Sequence, residues 1–211
     1  MLFRSGRTFL PNRRLASSVC ACCRVSLASH GNTLSMAWRN VSATNIRDIV
    51  LRQSSDGGAT WGEVRPVWPD QWKIAGCPHS GPAIFHQNGS LRAAWWTAGR
   101  SPALYYANGN LPFTDSHRAS GDLAHCGGAV WVSSGKDAFV VFHGTSKNGR
   151  GGVHARRVRP DGSLGDLRSL ALPAQSPSYP SIALRDSMLV IGWTDRQAGK
   201  SSLAIATGEL H

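Results

Sequence analysis

The stretch Ser54-Ser55-Asp56-Gly57-Gly58-Ala59-Thr60-Trp61 decides the fold of this 211-residue chain. A short Asp side chain accepts hydrogen bonds from turn amides, and glycine supplies positive φ at little steric cost. A Trp at the end of such a turn anchors the following strand by burial. The stretch therefore predicts a tight turn between two antiparallel strands.

The octapeptide matches the pattern S-x-D-x-G-x-T-W at every fixed position, and it resembles the Asp-box, or bacterial neuraminidase repeat, of sialidase-like β-propellers. The matching residues are Ser54, Asp56, Gly58, Thr60 and Trp61. The resemblance implies that these residues are structural. We therefore expect Asp56 to form the turn and not to act as a catalytic acid.

A second pattern repeats about every fifty residues, which is the length of a propeller blade. An apolar segment ends each time in an aromatic residue: Trp38, Trp95, Phe142 and Trp193. Turn residues precede each segment and another extended segment follows it, as in antiparallel hairpins; in the first blade this following segment is residues 46–53. The repeat predicts an all-β chain of four-stranded antiparallel blades, named A to D from the innermost strand outward.

The repeat predicts a single propeller domain over residues 1–211 with about four blades. Their approximate bounds are 19–72, 73–122, 123–174 and 175–210. Residues 6–12 read as a strand D of a preceding or closing blade. Either this strand closes a four-bladed ring as a monomer, or the chain is the C-terminal part of a six-bladed sialidase-like propeller. Bare strand edges would then favour self-association.

Composition limits the partners. The formal net charge of +11 favours an anionic partner, and arginine suits bidentate contact with carboxylate or phosphate. The chain contains no nucleic-acid-binding motif and no apolar run long enough to span a bilayer. The N-terminal residues lack the pattern of a signal peptide. The family resemblance nevertheless implies a secreted or periplasmic protein.

Antiparallel blades place the A–B and C–D turns on one face of a propeller and the B–C and D–A loops on the other. The second face surrounds the mouth of the central channel, where propellers usually bind ligands. The resemblance implies a carbohydrate or another small anionic ligand at this face. The candidate binding residues are Arg39, Arg47, Trp96, Arg100, His143, Tyr179 and Arg196.

Catalysis is supported less well than binding. The resemblance implies three arginines on a substrate carboxylate, an Asp acid/base, and a Tyr nucleophile with a Glu partner, but no motif carries these residues onto this chain. The two glutamates, Glu63 and Glu209, lie away from the channel mouth in the predicted blades. Asp48 and Asp195 are candidate acids by position alone. A glycoside hydrolase, in particular an exo-sialidase, remains the alternative function, and we expect no release of sialic acid.

The five cysteines lie at the starts of predicted innermost strands. Zinc and copper prefer thiolate and imidazole ligands, so a transition-metal site is possible although no cofactor is required. The candidate ligands are Cys22, Cys23, Cys77, His79, His125 and Cys126. The fate that we favour for the cysteines is instead a disulfide from Cys20 or Cys22 to Cys77, and the remaining alternative is that they stay as buried inert thiols. A metal-binding or scaffold propeller is therefore a third candidate function.

Overall fold

A computed structural model describes residues 11–134, 136–174 and 176–209. These residues form fifteen β-strands in four antiparallel sheets and contain no helix. Four antiparallel sheets, each built from consecutive strands, confirm the prediction of an all-β propeller. No helix among the described residues has the length and apolar character needed to cross a membrane.

In each sheet the strands are arranged in chain order, with the first strand innermost and the last strand outermost. Blade 1 contains β1 Ser26–His30, β2 Thr33–Arg39, β3 Ile49–Ser54 and β4 Arg65–Pro66. Blade 2 contains β5 Ala83–Gln87, β6 Ser90–Thr97, β7 Ala103–Gly109 and β8 His117–Arg118. Blade 3 contains β9 Ala124–Ser134, β10 Asp137–Thr145, β11 Gly151–Val158 and β12 Leu164–Ala174. Blade 4 contains β13 Pro177–Arg185, β14 Met188–Gln197 and β15 Lys200–Glu209.

The second strand of a blade is buried on both faces when neighbouring blades cover it. In β10, Val140 and Phe142 pack with blade 2, whereas Phe139 and Val141 pack with blade 4. This alternation follows from the period of two along a strand. It explains why the second strand reads as a nearly continuous apolar run in the sequence.

Two boundary expectations differ from the structure. The third strand of blade 1 begins at Ile49 and not at residue 46, because Ile46 forms an isolated bridge with Lys73 instead. Blade 4 has three strands within the described residues. Of the predicted strand 6–12, residues 6–10 lie outside the described residues, and residues 11–12 form no strand.

The segment that precedes blade 1 crosses the face of that blade directed away from blade 2. Arg52 donates to the carbonyl of Leu15, and Arg13 donates to the carbonyl of Ala59. On the corresponding outward face of blade 4, Leu203 and Ile205 are 86% and 70% exposed. The two ends of the blade series therefore differ: one carries a covering segment and the other presents apolar side chains to solvent.

Candidate ligand-binding site on the axial face

The connections of the strands divide the molecule into two faces. The D–A and B–C loops lie on one, which we call the axial face, and the A–B and C–D turns lie on the other. The predicted Asp-box follows β3 as a C–D turn and therefore lies opposite the axial face. Its position separates it from any ligand site at the channel mouth.

The predicted Asp-box stretch forms a closed set of hydrogen bonds around one carboxylate. Asp56 accepts bonds from the backbone and hydroxyl of Thr60 at 2.9 and 2.6 Å, and from the hydroxyl of Ser54 at 2.7 Å. The hydroxyl of Thr60 contributes most to lowering the pKa of Asp56 to about 2, followed by its backbone amide. The carboxylate is thus fully engaged in holding the turn.

A cavity of about 230 Å³ opens on the axial face between blades 2, 3 and 4, and we call it the axial cavity. Its lining residues are Pro78, His79, Ser80, Trp96, His125, Cys126, Gly127, Gly128, His143, Ser178 and Tyr179. His79, His125 and Tyr179 have φ angles of 49°, 47° and 51°. Non-glycine residues with a left-handed backbone are uncommon and tend to cluster at functional sites. Three of them around one cavity therefore support the axial cavity as a candidate functional site.

The imidazole of His143 forms one wall of the axial cavity and packs against two glycines. A Cβ at Gly127 or Gly128 would lie 3.0 Å from a ring atom, so the absence of side chains at both positions makes room for the ring. Burial, followed by the proximity of His154, lowers the pKa of His143 to about 4. The ring is therefore neutral near pH 7, and its buried Nδ1 has no hydrogen-bond partner.

An adjoining cavity of about 210 Å³ extends the site toward blade 1 and adds Arg24, which was not among the predicted binding residues. The guanidinium carbon of Arg24 lies 5.2 Å from the ring centre of Tyr179, which is 44% exposed. A Cβ at Gly81 would overlap the backbone of Arg24, so glycine permits this close approach of blades 1 and 2. Position just before an innermost strand was the signal that could have identified Arg24.

The residues that line these two cavities provide aromatic, imidazole, hydroxyl and guanidinium groups, and none of them is acidic. Trp96 is held by an edge-on contact with Trp72, with ring centres 5.0 Å apart. A small site with aromatic surfaces and a few polar donors suits a compact polar ligand. The predicted residues that the structure brings together here are Trp96, His143, Tyr179, His79, His125 and Cys126.

Arg39 differs from its expected role as a ligand-binding residue. Its side chain is buried between blades 1 and 2, and it donates to the carbonyls of Ser80, Arg47 and Trp96 at 2.9, 2.6 and 2.7 Å. The guanidinium also stacks over Trp72. Because backbone acceptors occupy this group, Arg39 acts as a structural clamp between the two blades.

Arg100 is likewise engaged within the protein. Its Nε atom lies 2.9 Å from a carboxylate oxygen of the buried Asp70, and its guanidinium stacks 3.5 Å from the ring centre of Tyr105. Trp95 donates to the second oxygen of Asp70 at 2.7 Å. Arg100 therefore lines neither cavity, and Asp70 pairs with its charge in the junction of blades 1 and 2.

The two candidate acids are not among the residues that line either cavity. Asp48 is buried and accepts the backbone amides of Gln71 and Trp72 at 2.9 and 3.0 Å, which fixes the D–A connection of blade 1. Asp195 accepts the amide of Ser176 at 3.0 Å near the exposed end of β14. Arg196, the next residue along β14, is exposed and also lies outside the lining.

Four cysteines meet where blades 1 and 2 join on the axial face, and we call them the sulfur cluster: Cys20, Cys22, Cys23 and Cys77. Their sulfur atoms all lie within 4.8 Å of one another. The structure joins Cys22 and Cys77 as a disulfide. The side chain of Arg47 lies beside the cluster, with Nη1 3.3 Å from the sulfur of Cys20.

The predicted six-residue metal set is therefore divided. Cys22, Cys23 and Cys77 belong to the sulfur cluster together with Cys20, which the prediction omitted. His79 and His125 line the axial cavity instead. Cys126 also lines the axial cavity, at the edge of the core between blades 2 and 3, and burial raises the pKa of its thiol to about 11.

No protein-family model matches the sequence, and no curated protein matches it. Several solved structures share its architecture. The Hadza microbial sialidase Hz136 superposes with a TM-score of 0.62 and 12% identity, over 88% of this chain and 45% of that chain. The N10 neuraminidase-like protein of A/little yellow-shouldered bat/Guatemala/060/2010 gives a TM-score of 0.56 and 8% identity, over 81% of this chain and 51% of that chain.

An endo-arabinase from Bacteroides thetaiotaomicron VPI-5482 gives a TM-score of 0.54 and 17% identity, over 84% of this chain and 71% of that chain. The similar structures are therefore sialidase-like and arabinan-acting propellers, at low sequence identity. The chain spans about half the length of the sialidase and the neuraminidase-like protein. These similarities establish the propeller fold of the chain. Because one fold hosts many functions, the candidate functional residues of this chain are taken from its own geometry.

Proposed function

We propose that the chain binds a carbohydrate or another small anionic ligand in the axial cavity and the cavity that adjoins it. The observation that carries this proposal is the pairing of Arg24 with the exposed ring of Tyr179 at a cavity whose lining contains no acidic residue. Two of the similar structures are named as a sialidase and an endo-arabinase, which supports the same ligand class.

The two residues supply complementary contacts. The guanidinium of Arg24 can donate two parallel hydrogen bonds to a carboxylate. The ring of Tyr179 offers an apolar face against which a sugar ring can pack, and Trp96, which also lines the axial cavity, offers another. The net charge of +11 attracts anions over a longer range at low ionic strength.

Binding without hydrolysis is the form of the proposal that the cavity favours. Most glycoside hydrolases flank the scissile bond with two carboxyl groups. Asp48 and Asp195 do not line the cavity, and both accept hydrogen bonds from backbone amides. We therefore expect no turnover of a fluorogenic sialoside by the purified chain.

Titration calorimetry with N-acetylneuraminic acid, glucuronic acid and neutral galactose tests the proposal. We expect a carboxylated sugar to bind more tightly than galactose, and Arg24→Ala to weaken that binding by about tenfold or more. Tyr179→Ala should weaken binding of the charged and the neutral sugar alike, because it removes a stacking surface.

Arg185→Ala is the matched control. It removes the same charge from an A–B turn on the opposite face, where the Arg185 side chain is 93% exposed. Unchanged affinity in Arg24→Ala and Tyr179→Ala, or an equal loss in Arg185→Ala, would contradict binding at this cavity. Sialoside turnover that Asp48→Ala abolishes would contradict the absence of hydrolysis.

A further inference from the structure

The sulfur cluster has the dimensions of a metal site. Cys20 lies 3.5 Å from Cys22, 3.6 Å from Cys77 and 3.5 Å from Cys23, measured between sulfur atoms. In a tetrahedral zinc site with Zn–S bonds of about 2.3 Å, neighbouring sulfurs are about 3.8 Å apart. Three of the six separations are therefore within a few tenths of an ångström of this value, and the bonded pair Cys22–Cys77 would have to separate for both sulfurs to bind one ion.

The backbone explains how the ligands converge. Cys20 and Cys23 have the C-x₂-C spacing of structural zinc sites, and the amide of Cys23 donates to the carbonyl of Cys20 at 3.1 Å. This tight turn directs both sulfurs to one point, and Cys22 adds a third ligand. Cys77 comes from the loop before β5 and completes the set from the neighbouring blade.

The charged groups around the sulfur cluster suit a zinc ion bound by four thiolates. Zn²⁺ with four thiolates carries a net charge of −2, which needs positive charge nearby if the site is partly buried. Arg47 lies 3.3 Å from the sulfur of Cys20, and its buried Nε has no hydrogen-bond partner.

We propose that the sulfur cluster of the reduced chain binds one Zn²⁺ through Cys20, Cys22, Cys23 and Cys77. Binding releases the protons of the four thiols and transfers no electrons. The ion would join blade 1 to blade 2 beside the ligand cavity, and its closed set of four protein ligands points to a structural role. The proposal does not depend on sugar binding.

The disulfide between Cys22 and Cys77 is the competing state of the same sulfurs. It forms only when the two thiols lose two electrons and two protons to an oxidant such as a low-molecular-weight disulfide. The Cα atoms of the pair are 6.7 Å apart, which is near the upper end of the range for disulfides. The reduced chain is consequently the form in which zinc binding must be measured.

The experiment uses the full chain, reduced and stripped of metal, then supplied with Zn²⁺ under anaerobic conditions. Elemental analysis should give one zinc per chain after removal of excess metal. Co²⁺ in its place should give the visible and near-ultraviolet bands of a tetrahedral cobalt–thiolate centre. Cys20→Ser and Cys77→Ser should each weaken zinc binding by more than about tenfold, the loss that changing even an outer-shell partner can produce.

Cys126→Ser is the matched control, because Cys126 is a buried thiol in the core between blades 2 and 3, and this variant should bind zinc as the unaltered chain does. Alkylation of the unaltered chain, read by mass spectrometry, avoids any dependence on folding of the variants. Zinc should protect the four cluster cysteines. Zinc well below one per chain, unprotected cluster thiols, or a Cys22–Cys77 disulfide that survives reduction would each overturn the proposal.

Discussion

The junction of blades 1 and 2 and the axial cavity use similar polar residues in opposite ways. In the junction, Arg39 donates to three carbonyls and Arg100 pairs with Asp70. At the axial cavity and the adjoining cavity, the guanidinium of Arg24 stacks on the ring of Tyr179, and Nδ1 of His143 has no hydrogen-bond partner. Partnered charges hold blades together, whereas unpartnered polar groups are available to a ligand.

The largest expected effect on stability comes from the junction of blades 1 and 2, where the arginines are partnered. Arg39→Met should lower the free energy of unfolding by about 3–5 kcal/mol, because it removes a buried cation and leaves three buried carbonyl acceptors without their donor. Urea denaturation of the metal-free chain measures this loss. Arg185→Met should change stability by less than about 0.5 kcal/mol. A loss below about 1 kcal/mol for Arg39→Met would show that the junction does not depend on this arginine.

A smaller effect should come from His143 in the axial cavity, which should make the free energy of unfolding depend on pH. Burial lowers the pKa of His143 to about 4, below the value of about 6.5 expected in the unfolded chain. The unfolded chain therefore takes up more protons between these values, so stability is complete above about pH 6.5 and falls as pH decreases toward 4. The contribution should be about 2 kcal/mol, which allows for partial exposure of the ring.

His143→Gln tests this assignment, because glutamine does not titrate. Urea denaturation at several pH values between 7 and 4, with a chelator present, should show a shallower fall in stability for the variant than for the unaltered chain. Some dependence should remain, since burial also lowers the pKa of His86 and His154. Identical pH profiles for the two chains would place the titrating group elsewhere.

The smallest expected effect on stability is that of Arg24→Ala. Arg24 is exposed and contributes one cation–π contact, so its removal should change the free energy of unfolding by less than about 1 kcal/mol. Denaturation of Arg24→Ala beside Arg39→Met makes the contrast direct. Comparable losses in the two variants would mean that Arg24 also holds the blades together.

The sequence predicted most of the fold because propeller blades are local structures. Each antiparallel blade forms from consecutive strands, so alternation, turn residues and the repeated aromatics at Trp38, Trp95, Phe142 and Trp193 carry the necessary information. The start of β3 was placed three residues too early, because the bridge from Ile46 to Lys73 depends on a distant segment. Boundaries set by such contacts are not visible in a local pattern.

The site was predicted less completely because its chemistry depends on contacts between blades. The sequence placed Arg39 and Arg100 near the axial face, but their acceptors on Ser80, Trp96 and Asp70 come from other loops. Such acceptors determine whether the guanidinium of an arginine is available to bind a ligand. The C-x₂-C spacing of Cys20 and Cys23 was present in the sequence, whereas the convergence of Cys77 on it required the folded chain.

The exposed apolar side chains of blade 4 have a consequence for the behaviour of the protein at high concentration. Leu203 and Ile205 on β15 are 86% and 70% exposed. Large apolar side chains that are exposed near one another favour contact with a second apolar surface. Static light scattering should therefore show an apparent mass that rises with protein concentration, and Leu203→Lys should reduce that rise.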